Sequence, residues 1–320
     1  MCCDRKGRSA TRSLKTEFLL MGVVLVWGAN YTVSKYGILE LTPEMFTFLR
    51  FAIVFPLLLL AVLWKERSLA IERRDILRLV FTGLVGIAIY QTLFMTSVKY
   101  TSATHSSLMI ALSPIFTGIL AIIGGQEKFT WRVQAGSLIS FLGAAAVIGL
   151  GDEGVSFYSR SFFGDMMGLL AAFFWGWYPV LAAPLVRKYS SLRVTAWSSV
   201  VGVLALLLMN IHQFSRTSWH WHVMTWASLF YSAILVTVYG LVAWYYGVSQ
   251  IGPTKVMVYM YAIPLVAILV AAGVLHEAIN SWQIIGALVI LAGITIVKTE
   301  GKRNAAVSTH PSMGRGRREL

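Results

Sequence analysis

The sequence predicts an all-α integral membrane protein: ten transmembrane helices arranged as two inverted-topology five-helix repeats. Three observations carry that expectation: a composition too apolar for water, ten apolar runs long enough to cross a bilayer, and an internal similarity at a spacing of about 150 residues. Of 320 residues, 57% are hydrophobic, 13% aromatic and 13% charged, and the mean hydropathy is +0.69. Soluble domains are about 45–50% apolar and about 25% charged. Crossing the hydrocarbon takes about 20 mostly apolar residues, and segments near 17–37, 43–64, 75–98, 102–124, 130–150, 162–186, 192–212, 223–248, 253–275 and 281–299 qualify. In lipid every backbone amide must be bonded internally. The alternating pattern of a membrane barrel is absent, so helices are the expected spans.

Charge sets the orientation. With a cytoplasmic N-terminus, 22 of the 27 Lys and Arg residues fall on the cytoplasmic side, the asymmetry of the positive-inside rule. The formal net charge of +13 comes from short clusters beside apolar segments, which argues against a nucleic-acid partner and for the lipid bilayer. Residues 1–16 read as a basic cytoplasmic tail and 300–320 as a disordered one, both in the cytoplasm of a multi-pass cytoplasmic-membrane protein. Cys2 and Cys3 lie in the first tail, so no disulfide framework is expected.

Between the tails, residues 17–150 and 162–299 form the two expected repeats. Aligning 98–147 with 248–297 gives only 9 identities in 50 positions. Those that coincide decide the matter: Pro114 with Pro264, Glu127 with Glu277, Gly136 with Gly286, and Gly143 with Gly293. Trp27-Gly28 pairs with Trp175-Gly176 at an offset of 148. Five is odd, so the second half enters the membrane from the opposite face, as in carriers that work by alternating access.

The "WGAN" of the first helix, the Arg in "FLRF" and the doubled order of Pro, Glu, Gly and Gly resemble the drug/metabolite transporter superfamily, in its ten-helix EamA-type branch. The resemblance spans about residues 18–298. It implies two five-helix bundles around a central cavity and export of amino acids, related metabolites or foreign compounds. The halves are not identical: Ser198 aligns with Arg50, and "WGWY" replaces "WGAN".

Polar and aromatic residues inside spans are the candidate substrate contacts. Arg50 lies seven residues past Pro43, about 10 Å deep at 1.5 Å per residue. An intramembrane Arg faces protein or water by default, or snorkels to the interface, and either a ligand carboxylate or Glu44 would serve as its partner. Asn30 and Tyr31 follow Trp27, and Trp27, Tyr31 and Lys35 share a face. Lys35 reads as a snorkelling side chain at the outer end. Tyr90 and Gln91 sit mid-span, where an amide needs a partner. Trp175, Tyr178, Tyr239, Trp244 and Tyr259 offer an aromatic wall whose competing reading is ordinary packing. Pro114 and Pro264 suit symmetric kinks, Gly136 and Gly286 suit close helix approach, and Glu127 and Glu277 read as caps for the helices that follow them. His105 reads as an interfacial residue.

Catalysis is not expected. "GLGD" at 149–152 lacks the second carboxylate of an aspartyl site, and "HEAIN" at 276–280 lacks the second zinc-binding His. His220 and His222 have no third ligand at suitable spacing close by except His212, and neither metal nor cofactor is anticipated. The alternative to a carrier is a membrane-embedded enzyme or receptor acting on a lipid or small ligand without solute flux. The anticipated partner is a small-molecule substrate, with the protein a monomer or homodimer. Every Asp and Glu maps to a tail, a loop or a helix end, which points to facilitated export or exchange.

Overall fold

A computed structural model describes residues 4–125, 131, 135–136, 138–139, 141–143, 146, 159–214, 219–251, 259–260 and 262–308. Glu127 and Asp152 lie outside them. The described chain is helical, without strands: α1 is Asp4–Gly37, α2 Pro43–Glu66, and α3 Arg73–Tyr100 with a π-helical stretch at Leu84–Ile89. After these come α4, Ala103–Ile110, and α5, Ser113–Ile123. In the second half, α6 is Arg160–Lys188 and α7 Ser191–Asn210. α8 runs through Val223–Phe230, a π stretch Tyr231–Tyr239, and Gly240–Ile251. Last are α9, Ile263–Val274, and α10, Ser281–Ser308. Among the described residues, seven spans are long and apolar enough to cross a membrane by themselves, and α9 and the first turns of α10 are shorter apolar helices.

Local chemistry accounts for the starts. Thr42, Ser102, Ser159 and Ser190 each place a side-chain oxygen on an amide three residues ahead, at 2.9–3.2 Å, which satisfies an amide that has no partner inside the helix. Two boundaries differ from the sequence reading. Helix begins at Asp4 and persists to Ser308, crossing much of the first tail and entering the second. The Lys, Arg and Ala residues there are good helix formers.

The halves interleave. α2 packs along α7, α3 along α6, α1 along α9 and α8, and α5 along α6, so the largest contacts join one half to the other. Large apolar side chains such as Phe18, Leu39, Trp64 and Leu208 are more than two-thirds exposed, the surface expected of a lipid-facing wall. At the end where α2 finishes and α7 starts, Arg193 grips Glu66 at 2.9 Å and Lys188 meets both Glu72 and Asp75 at 2.6 Å.

Broken helices are the main departure from expectation. Pro114 and Pro264 do not kink continuous spans; each stands at the start of a new helix after a turn. The bond pattern repeats at an offset of 150: Leu112 N–H donates to Met109 O and Ala262 N–H to Tyr259 O, both at 3.1 Å. Proline has no amide to donate and clashes with the preceding turn, which favours a break followed by a first-turn proline. The π stretches also match, since 84–89 shifted by 150 falls inside Tyr231–Tyr239.

The paired glycines close the two halves on each other. A Cβ on Gly28 would lie 2.5 Å from Val266 Cβ, and one on Gly176 would lie 2.8 Å from Phe116 Cβ. Phe116 and Val266 are themselves 150 apart, so each half's Trp-Gly step seats the broken helix of the other. A Cβ on Gly143 would lie 2.9 Å from both Gly286 O and Ile290 N, and Gly136 is buried, in keeping with close helix contact.

Candidate functional site

A cavity of about 60 Å³ lies between the halves, and with its mouth it encloses about 520 Å³ of atom-free space. α1 contributes Trp27, Asn30 and Tyr31; α2 gives Arg50; α3 gives Tyr90, Gln91 and Phe94; α4 ends on it at Ile110. From the second half come Trp175 of α6, Val236, Thr237 and Leu241 of α8, Met260, and Ile263 at the start of α9. Both helix breaks and the second π stretch therefore border it, and the first π stretch ends one residue before Tyr90. π stretches recur at functional sites because they re-aim side chains within a helix.

Six of the ten sequence candidates line this space: Asn30, Tyr31, Arg50, Tyr90, Gln91 and Trp175. Behind them, Tyr178 stacks on Trp175 at 5.9 Å and Trp244 lies 5.1 Å from Trp27. Tyr239 turns away, its hydroxyl donating to Leu19 O at 3.0 Å, so its polar need is met by α1 backbone. Tyr259 is half-buried, packed on the core beside the cavity. Periodicity missed Thr237 and Val236, because a π stretch shifts which faces point inward; Thr237 Oγ1 donates to Ser232 O, five residues back.

Arg50 is 2% exposed. Its Nη2 donates to Gln91 Oε1 at 3.0 Å, while Nε and Nη1 have no partner. Glu44, one and a half turns away, is not that partner; Gln91 of the neighbouring helix is. Each buried nitrogen left unbonded costs about 1–3 kcal/mol. The same cavity is walled by a ring cluster: Tyr90 stacks on Trp175 at 4.7 Å, Trp175 meets Trp27 edge-on at 6.0 Å, and Phe94 meets Tyr31 edge-on at 5.2 Å. Trp27 and Trp175 are the two repeat-related tryptophans, so the repeats touch at the cavity wall.

Beyond the cavity, at the ends of α1 and α9, Glu277 ties elements of both halves. Its carboxylate accepts from Lys35 Nζ at 2.9 Å, Ala103 N–H at 3.1 Å and Thr104 N–H at 3.4 Å. It caps a helix, as read from sequence, but the helix is α4 rather than the one that follows it. The reason is local: His276 adopts a left-handed φ of 53° and Glu277 N–H reaches back to Ala271 O at 3.4 Å, a helix-terminating turn that aims the carboxylate at α4. Lys35 is correspondingly an ion-pair partner and not a snorkelling side chain. Burial pushes the Glu277 carboxyl up, but Lys35 and the two amides outweigh it and hold the group below its ordinary 4.5. Stability from this contact is thus present above pH 4.5 and lost as the pH falls through the lowered value. In detergent, the melting-temperature advantage of wild type over Glu277→Gln should shrink on acidification to about pH 3; an unchanged gap would contradict the assignment.

His105, at the start of α4, has a partner that its place in the sequence did not announce. Its Nδ1 lies 3.2 Å from Asp165 Oδ2, and Thr101 Oγ1 donates to Asp165 Oδ1 at 2.7 Å. Asp165 sits in the second turn of α6 and is 2% exposed, deeper than the helix-end position expected of every acid. The signal was an Asp five residues inside a span, opposite a His in the adjoining hairpin.

The EamA-like transporter family model matches this chain twice, over residues 14–149 and 162–299. The chain belongs to the EamA-like transporter family. An uncharacterized transporter of Archaeoglobus fulgidus is 29% identical over 88% of this chain and 96% of its own length. A probable terminal-alkyne amino-acid exporter of Streptantibioticus cattleyicolor is 30% identical over 73% of this chain and 77% of its own length. A solved crystal structure at 17% identity superposes with a TM-score of 0.66, covering 90% of this chain and 97% of that one, which bears on the fold alone. The EamA protein is thus a multi-pass membrane transporter and not an enzyme.

Proposed function

We propose that this EamA transporter is a secondary carrier exporting small amphiphilic metabolites, such as amino acids or related compounds, by alternating access. On this reading it sits in the cytoplasmic membrane as ten spans in two inverted repeats, with both termini cytoplasmic. One observation carries the reading: the cavity is walled by matched pieces of both halves, including the two helix breaks before Pro114 and Pro264. As it stands, 60 Å³ holds a few waters at about 10–15 Å³ of such volume each. A metabolite enters when the walls part, and α1 against α9 and α6 against α5 are the matched surfaces along which they would slide. The amino-acid exporter among its relatives supports the substrate class and the direction. Flux of labelled metabolites into inverted vesicles tests the proposal. Accumulation of an amphiphilic solute over vesicles lacking the protein is expected; a folded protein that moves no solute, or instead modifies a lipid head group, would overturn it.

A further inference from the structure

We infer that the central cavity is a carboxylate site, and that the solutes this protein prefers are monocarboxylates with a flat apolar body and no compensating ammonium group. The inference deepens the transport reading and rests on it. The argument is a count of donors and acceptors. Arg50, 2% exposed, presents Nε and Nη1 without partners, and guanidinium offers donors only. Because Arg50 must donate, Gln91 meets it with Oε1, which leaves the Gln91 amide N–H groups as what that side chain still offers. Asn30 is arranged the same way: Ser34 and Ser232 hydroxyls both donate to its Oδ1, at 3.0 and 2.9 Å, leaving its amide nitrogen. Trp175 Nε1 is a further buried donor without a partner. Trp27 and Thr237 spend their donors on Val236 O and Ser232 O.

Among the described residues, therefore, the wall is rich in donors, carries one formal positive charge and has no carboxylate. A carboxylate is the small group that supplies two acceptor oxygens and a negative charge together, and Arg takes it in a two-pronged, charge-assisted contact. In the same cavity wall, the rings of Trp27, Tyr90, Phe94 and Trp175 provide an apolar enclosure for a flat or alkyl body. An α-ammonium would face Arg50 with no acid to receive it. The wall therefore ranks an amine-free acid above the corresponding amino acid, and both above an amine.

The test uses 3-phenylpropionate, its amide, L-phenylalanine and phenethylamine, titrated into the full-length protein in detergent by calorimetry and followed as flux into proteoliposomes. In the wild-type protein the acid should bind about 10- to 100-fold more tightly than the amide, the range for a charge-assisted contact, with phenylalanine between them and phenethylamine weakest. Arg50→Gln should erase the acid-over-amide preference, and Arg50→Lys should keep part of it. Equal binding of acid and amide by wild type overturns the inference while leaving transport intact, and this arm does not depend on any variant folding. Transport of other solutes without binding of the acid has the same meaning. A folded wild-type protein that moves no solute at all overturns the transport reading itself.

Discussion

Replacing Gly176 by leucine is expected to abolish folded protein. A Cβ at that position would lie 2.6 Å from Ser113 O and 3.0 Å from Thr117 N, both backbone atoms of the broken helix of the other half. Backbone held in a helix cannot step aside as a flexible side chain can. Thr117 Oγ1 also donates to Gly176 O at 3.0 Å, locking the approach. Extra methylenes in a packed core cost about 1–3 kcal/mol, occasionally more, and leucine adds a whole branched side chain. On size-exclusion chromatography in detergent, Gly176→Leu should lose its monodisperse peak, and Gly176→Ala should fold with a lowered melting temperature. The equivalent Gly28→Leu should be comparably severe, because a Cβ there would lie 2.5 Å from Val266 Cβ, an atom the backbone fixes, and 3.1 Å from Ile263 O. A Gly176→Leu protein as stable as wild type would refute the packing argument.

The Asp165→Ala substitution is the second large effect. It strips the acceptor from Thr101 Oγ1 and from His105 Nδ1 at once, inside a site where the Asp165 side chain is 3% exposed and that of His105 is 12% exposed. Leaving a buried donor unpaired costs about 1–3 kcal/mol, and two donors are affected. Asp165→Asn keeps an acceptor oxygen and should recover part of the loss. Thermal melts of the purified variants decide it: melting temperatures for Asp165→Ala within error of wild type would show that these bonds contribute nothing.

How much of this was readable beforehand depends on the range over which each signal acts. Membrane character and the places where spans occur follow from the run of apolar residues, because each span meets lipid on its own account. The repeat was legible from Pro114 and Pro264, Glu277, and the Trp-Gly steps, since each is tied to a backbone feature that composition alone does not scatter at matching positions. Arg50, Asn30 and Gln91 could be singled out because a polar side chain deep in a span has to be accounted for. Their partners could not. Gln91 stands 41 residues from Arg50, and Lys35 stands 242 from Glu277, with nothing local to announce either pair.

Tyr239 illustrates the limit. Its position in a span made it a good candidate, yet the π stretch ending there rotates the face and the hydroxyl finds the Leu19 carbonyl. The kinks expected at Pro114 and Pro264 became full breaks, because whether a proline bends a helix or restarts it depends on what packs on the freed turn. The sequence by itself determined a membrane-spanning, internally repeated, helical chain, because hydrophobic length and backbone hydrogen bonding act residue by residue. Only the tertiary structure decided that the two Trp-Gly steps interlock across the halves, that Glu277 caps α4, and that Arg50 keeps two donors free in a cavity without acid. Those outcomes depend on which faces of distant helices meet, and close packing settles that only once all of them are in place.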